Sequence, residues 1–331
     1  MRHLCGSGWV RIVLFSAAVV CAQPEPFQGL RRLADVPIIA PRGKGWESAG
    51  TFNPAVAIRD DKIVMLYRAQ DRQGTSRLGY AESTDGIHFS RRDEPILGPE
   101  TEYEKDGGVE DPRLVRFGDT YYLTYTGYNK KDAQLCLATS QDLIHWDRKG
   151  IILAANQGNW NVRWTKSGAI VPEKIQGKYW MYFLGTSADG RDQTGVASSP
   201  DLLHWSEESK TPVLPVRPGR FDSRVAEPGP SPLVVSGGSG GILLYYNGAD
   251  DQLVYRTGAA TFDRNDPRKL LARSEKPFFA PEKDWEKVGQ VPNVVFVEGM
   301  IREGNLGLFF YYGAADKYIG VFQIHWGSWL L

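Results

Sequence analysis

The sequence predicts an all-β fold, a five-bladed β-propeller, and three observations carry that prediction. First, a Ser-x-Asp turn running into an apolar, His and aromatic segment occurs three times: Ser83-Thr84-Asp85-Gly86-Ile87-His88-Phe89, Ser140-Gln141-Asp142-Leu143-Ile144-His145-Trp146 and Ser199-Pro200-Asp201-Leu202-Leu203-His204-Trp205. The aspartates are 57 and 59 residues apart, and self-similarity at so long a pitch marks a repeat architecture. Second, a strand-forming aromatic run precedes each turn, at residues 63–68, 121–126 and 179–184, and two later runs, 241–248 and 306–313, keep that strand, which makes five units of about the size of a four-stranded blade. Third, no long amphipathic helical period interrupts them. A β-sandwich would not be expected to carry so long a repeat.

The chain of 331 residues, 42% hydrophobic, supports an ordinary globular core. Lys+Arg and Asp+Glu are both 39, so the basic stripe of a nucleic-acid binder is missing and no nucleic-acid partner is expected. Arg2 and Arg11, the apolar run 12–20 and Cys21-Ala22 have the order of a secretory signal, with a run too short to span a bilayer. The expected division is a signal peptide over 1–22, cleaved after Ala22, and one catalytic propeller domain over 23–331, exported to the periplasm or outside the cell. Lipoprotein anchoring at Cys21 is the alternative, disfavoured by the bulk of Val20. Cleavage removes Cys5 and Cys21 and leaves Cys136, which has no partner for an internal disulfide and reads as a small apolar residue in a strand.

The chemistry lies at the unit starts. The second opens with Gly108-Val109-Glu110-Asp111-Pro112-Arg113 ahead of a hairpin turning at Gly118-Asp119. Pro112 has no N–H for the ladder, which is expected to put the acids at the strand's beginning and not within its paired interior. The other starts are Phe52-Asn53-Pro54-Ala55, Trp164-Thr165-Lys166-Ser167-Gly168, Glu227-Pro228-Gly229-Pro230 and Pro292-Asn293-Val294 running on to Glu298-Gly299. Inner strands of a propeller line its axis, so these side chains should meet at one end of it. Carboxylates among Arg and Lys are the equipment for cleaving a glycosidic bond: one protonates the leaving oxygen and another activates a nucleophile. The histidines of the repeat occupy equivalent positions, which suits a structural role better than a triad or metal site. No calcium loop or His/Cys cluster is present, so no metal and no cofactor is expected.

These motifs, with Leu66-Tyr67-Arg68-Ala69, residues 171–179 and Tyr312-Gly313-Ala314-Ala315-Asp316, resemble glycoside hydrolase family 130 over residues 45 to 325. The resemblance implies a five-bladed propeller acting on β-mannosides as phosphorylase or hydrolase. It implies Asp111 as general acid, its proton passing through a sugar hydroxyl, and Asn53, Arg68, Arg113, Lys166 and Asp316 as contacts to the bound mannose, with Glu110 beside them. The family's phosphorylases typically carry Tyr-His-Gly in the fourth blade, where this chain has Tyr246-Asn247-Gly248. Asn247 in that place offers substrate an amide and phosphate no cation. Glu227 and Glu298 resemble the hydrolytic branch, as catalytic bases on a water.

The expectation is therefore a secreted, inverting, β-1,2-mannosidase-like hydrolase acting on an oligosaccharide or mannoside. Phosphorolysis is the alternative, with Arg163, Arg217, Arg220 and Arg224 available to hold an oxyanion. A sugar-binding propeller without catalysis is a further alternative, which would gain little from buried carboxylates. Oligomeric state is not legible.

Overall fold

The computed structural model describes residues 29–235, 240–303 and 307–325. The expected signal segment, 1–22, with Cys5 and Cys21, lies outside them. Strand β1, Arg31–Arg32, precedes five consecutive antiparallel units. The first holds β2 Gly50–Arg59, β3 Lys62–Gln70, β4 Ser76–Ser83 and β5 Ser90–Arg91, and the second β6 Gly108–Phe117, β7 Thr120–Tyr128, β8 Ala133–Ser140 and β9 Asp147–Leu153. The third holds β10 Thr165–Ile170, β11 Tyr179–Thr186, β12 Asp192–Ser199 and β13 Ser206–Glu207. The fourth holds β14 Val225–Pro228, β15 Leu233–Val234, β16 Gly241–Ala249, β17 Tyr255–Asp263 and β18 Leu270–Arg273. After α1, Asp284–Lys287, the fifth holds β19 Val295–Glu303, β20 Gly307–Ala314 and β21 Tyr318–Ile324. Its outer strand is β1, paired Arg31 to Gln323, so the first and last described strands share one sheet.

Five apolar cores lie between successive units. Val64, Leu66, Leu123 and Tyr125 join the first to the second, Leu135, Leu137, Met181 and Phe183 the second to the third, and Tyr182, Val196, Leu244 and Phe262 the third to the fourth. Tyr245, Val297 and Phe310 join the fourth to the fifth, and Val56, Met65, Phe309 and Tyr311 the fifth back to the first. Packing of β19 on β2 brings the fifth unit back against the first. Neighbouring units also touch through lone parallel bridges, Ser76 to Gly108, Asp192 to Val225 and Tyr255 to Val294. At Gly108 the approach is so close that a Cβ would lie 2.0 Å from the Ser76 carbonyl oxygen, and its φ of +102° suits glycine alone.

The repeated turns explain the histidines. In each, the aspartate accepts backbone N–H groups of the following residues and the histidine Nδ1 lies 2.6–2.7 Å from its other oxygen. This is a local turn on an exposed edge, as the structural reading expected. Cys136 is buried in β8, and burial pushes its thiol up to about 12. A thiol held protonated and covered is a poor nucleophile. Folded protein is expected to resist a thiol-reactive dye and to melt at one temperature with or without reductant. Rapid labelling under native conditions would contradict this burial.

Candidate active site

The first strand of four units bulges at the candidate residue or, in β10, just after it. In β2 the register passes from Phe52–Arg68 to Pro54–Tyr67, leaving Asn53 unpaired. In β6 it passes from Glu110–Thr126 to Arg113–Thr124, so Asp111 and Pro112 together oppose Tyr125. In β10 Ser167 and Gly168 oppose Phe183, and in β19 Glu298 is the extra residue between Val297 and Gly299. Asn53, Asp111 and Ser167 take left-handed φ values of 49°, 51° and 57°. A bulge re-aims its side chain and frees one backbone group from the ladder, a position Pro tolerates. The acids therefore sit inside β6, and the expectation that Pro112 places them at the strand's beginning is corrected: the bulge removes the demand for its N–H.

The bulges at Asn53 and Asp111, and Lys166 beside the third, open on a pocket of about 300 Å³. Asn53, Arg68, Asp111, Lys166, Glu227 and Asp316 form its polar wall. Arg68 donates to Asp111 Oδ1 at 2.9 Å, to Glu110 Oε1 at 2.6 Å and to Ser76 Oγ at 3.0 Å, with its guanidinium 4.6 Å from the Phe52 ring centre. Lys166 Nζ lies 3.2 Å from Asp111 Oδ2, and the Ser167 hydroxyl donates to Glu227 Oε1. Both oxygens of Asp111 thus face a cation.

The acids differ in charge state. Burial would raise Asp111, but Lys166, Arg68 and Arg113 outweigh it and hold this carboxyl well below the usual range. Burial pushes Glu227 up to about 7 against the pull of Lys166 and Arg113, and Asp316 up to about 6 against Arg68. Burial likewise raises Glu110, while that of Lys166 is overcome by Asp111 and Glu227, which keep the ammonium charged. At neutral pH the pocket holds one firmly ionised carboxylate beside others that titrate.

Four expected contacts stand elsewhere. Arg113 is 1% exposed and absent from the pocket wall; it donates to the Gly229 carbonyl at 3.0 Å, the Pro228 carbonyl at 2.9 Å and Glu298 Oε1 at 2.8 Å. Glu298 has a wholly buried side chain that also accepts from Asn53. Burial raises it to about 8 against the pull of Arg113. Glu298 is not part of the pocket wall, so its expected place facing a water there is corrected: the pair with Arg113 turns it inward. Asn247 is buried, exchanging 2.9 Å bonds with the Val297 N–H and carbonyl, so its amide splints β16 to β19 instead of meeting substrate. Glu110 holds Arg68 from behind the wall.

Sequence reasoning missed Ser167 as the partner of Glu227; the Pro or Gly that follows Asn53, Ser167, Glu227 and Glu298 alike, and Asp111 too, was the available signal. It also missed the apolar wall of Leu253, Tyr255, Val291, Val294 and Phe296, whose residue types do not differ from core. A larger cleft, of about 520 Å³, at Ser140, Asp142, His145 and Trp146 belongs to the exposed repeat turn.

A family model described as β-1,4-mannooligosaccharide phosphorylase matches residues 31–328. The chain belongs to glycoside hydrolase family 130. A 1,2-β-oligomannan phosphorylase from Thermoanaerobacter sp. (strain X514) is 39% identical over 303 residues, 88% of this chain and 96% of the relative. The solved β-1,2-mannobiose phosphorylase of Listeria innocua, in complex with β-1,2-mannobiose, superposes with a TM-score of 0.78 at 27% identity, over 89% of this chain and 97% of that one. A further family 130 structure was reported with the finding that this family of mannoside phosphorylases contains glycoside hydrolases that target β-1,2 mannosidic linkages in Candida mannan. It superposes with a TM-score of 0.80 at 35% identity, over 89% of this chain and 93% of that one. Taken together, the family 130 relatives support phosphorolysis better than the hydrolysis expected from the charge of the site.

Proposed function

We propose that this protein is a five-bladed β-propeller that cleaves β-1,2-mannosidic bonds with inversion and transfers the mannosyl group to inorganic phosphate, releasing α-mannose 1-phosphate. The observation that carries the acceptor is the 39% identity to a 1,2-β-oligomannan phosphorylase over 96% of its length. Asp111 directs protonation of the leaving oxygen, while Asn53, Arg68, Lys166 and Asp316 hold the terminal mannose. Phosphate needs a cation with no carboxylate on it. Arg217 is bound by Asp222 and Glu275, Arg220 by Glu275, and Arg163 lies over Trp164. Arg224, half-buried just before β14, has no ion pair among the described residues and is the arginine assigned to phosphate. Export through residues 1–22, and a single domain from residue 23 onward, belong to the same reading.

Hydrolysis is the second reading, favoured by Glu227: its carboxylate stands in the pocket with a value near neutrality, as a general base on water requires. The two readings give opposite pH signs. A base must be ionised, so hydrolysis rises as pH passes upward through about 7. Phosphate meets a more negative site as Glu227 ionises, so its KM rises over the same interval.

Incubation with β-1,2-mannobiose, with and without phosphate, at pH 6 and pH 8, is expected to give mannose 1-phosphate only with phosphate, with the lower phosphate KM at pH 6. Free mannose formed equally without phosphate, faster at pH 8, would replace this reading by hydrolysis.

A further inference from the structure

We propose that Leu253 is a specificity-determining residue that packs against the leaving-group sugar, and that the chain tolerates backbone strain to present it there. The inference rests on the mannoside-cleaving reading and concerns which part of the substrate the outer pocket reads. Leu253 lines the pocket at the β16–β17 turn, 47% exposed, with a left-handed φ of 57°. Leucine in that conformation is strained, because its Cβ approaches the following carbonyl.

Two comparisons within the molecule show that the strain is neither required by the turn nor offset by burial. The β3–β4 turn has the same construction. Asp71 accepts from the N–H groups of Gln73 and Thr75 and binds Arg77 at 2.7 Å; Asp250 accepts from those of Gln252 and Val254 and binds Arg256 at 2.7 Å. The position matching Leu253 is Gly74, with φ of 80°, and the β11–β12 turn likewise uses Gly190, with φ of 75°. Glycine serves this position without strain. Two other leucines do take left-handed φ, Leu143 and Leu202, but they are 0% and 2% exposed and fill inter-unit cores, where burial compensates. Leu253 gains no such compensation from the folded chain alone.

The neighbouring geometry says what it meets. In the fifth unit the matching β20–β21 turn also carries strained residues, Ala315 and Asp316, both with φ of 49°, and Asp316 stands in the polar wall of the same pocket. Leu253 therefore forms the rim of a site whose acids lie deeper: Asp111 and Glu227 are 5% and 7% exposed. A terminal mannose held at the acids leaves its glycosidic oxygen and the next sugar directed outward, where the C–H face of a pyranose can rest on an isobutyl group.

The test compares Leu253→Gly with wild type on β-1,2-mannobiose and on β-mannosyl fluoride, which has no leaving sugar, under the acceptor conditions that support wild-type turnover. The melting temperature should stay equal or rise, since glycine relieves the turn. The ratio of kcat/KM on the disaccharide to that on the fluoride should fall at least about fivefold, chiefly through the disaccharide KM, as expected for loss of an apolar contact of this size. Leu253→Asn, which tolerates left-handed φ but is polar, should behave likewise. An unchanged ratio in a variant that melts normally overturns the inference and leaves the mannosidic reading standing. A fall of several degrees in melting temperature overturns it too, by making Leu253 a structural residue. No wild-type turnover of either substrate would overturn both.

Discussion

Asp111→Asn is expected to lower kcat/KM on unactivated β-mannosides by about a thousandfold or more, because the leaving oxygen then has no route to a proton. The free site holds Asp111 ionised, clamped between Arg68 at 2.9 Å and Lys166 at 3.2 Å, which is the reverse of an ordinary general acid carrying its own proton. To act as the acid it must take up a proton as substrate binds, and pass that proton to a substrate hydroxyl as the hydroxyl gives its own to the leaving oxygen. Turnover of β-mannosyl fluoride, whose leaving group needs little proton assistance, should fall much less. Kinetics on both substrates check this, and an equal loss on the two would remove Asp111 from proton transfer. The linkage sign is also set. A carboxyl depressed by folding contributes stability that is present above its unfolded value and is lost as pH falls through the folded one. Asp111→Asn should therefore cost stability at neutral pH and nothing at strongly acid pH.

Arg113→Ala is expected to destabilise the protein by about 3–5 kcal/mol, leaving the buried Glu298 carboxyl and the Pro228 and Gly229 carbonyls all without their donor. Those groups belong to the fourth and fifth units, so one guanidinium from the second ties three units together. Thermal melting should show a drop of about 10 °C. A melting temperature within about 2 °C of wild type would show that the pair contributes nothing.

The division between polar contacts and clamps was hidden for one reason: adjacent residues at a bulge point in different directions. Glu110, Asp111 and Arg113 are almost contiguous, yet Asp111 enters the pocket, Glu110 braces Arg68 and Arg113 crosses to the other units. Burial does not separate them, since all three are at most 5% exposed. Only the partners do. Asn247 was misplaced in the same way: its amide is well suited to a sugar, and equally to the Val297 N–H and carbonyl it meets.

By itself the sequence determined the five strand units, their turns and the set of polar residues at their starts. These are local matters of β-propensity, turn chemistry and a repeat whose spacing survives translation along the chain. The family followed from the same local motifs. Tertiary structure alone decided which of those polar residues share a pocket, which carboxylate is held ionised and which titrate near neutrality. It also decided that an apolar wall with a strained leucine faces them. Each of these depends on the distance between charges and on the water excluded around them, quantities set by how units remote in sequence pack against one another.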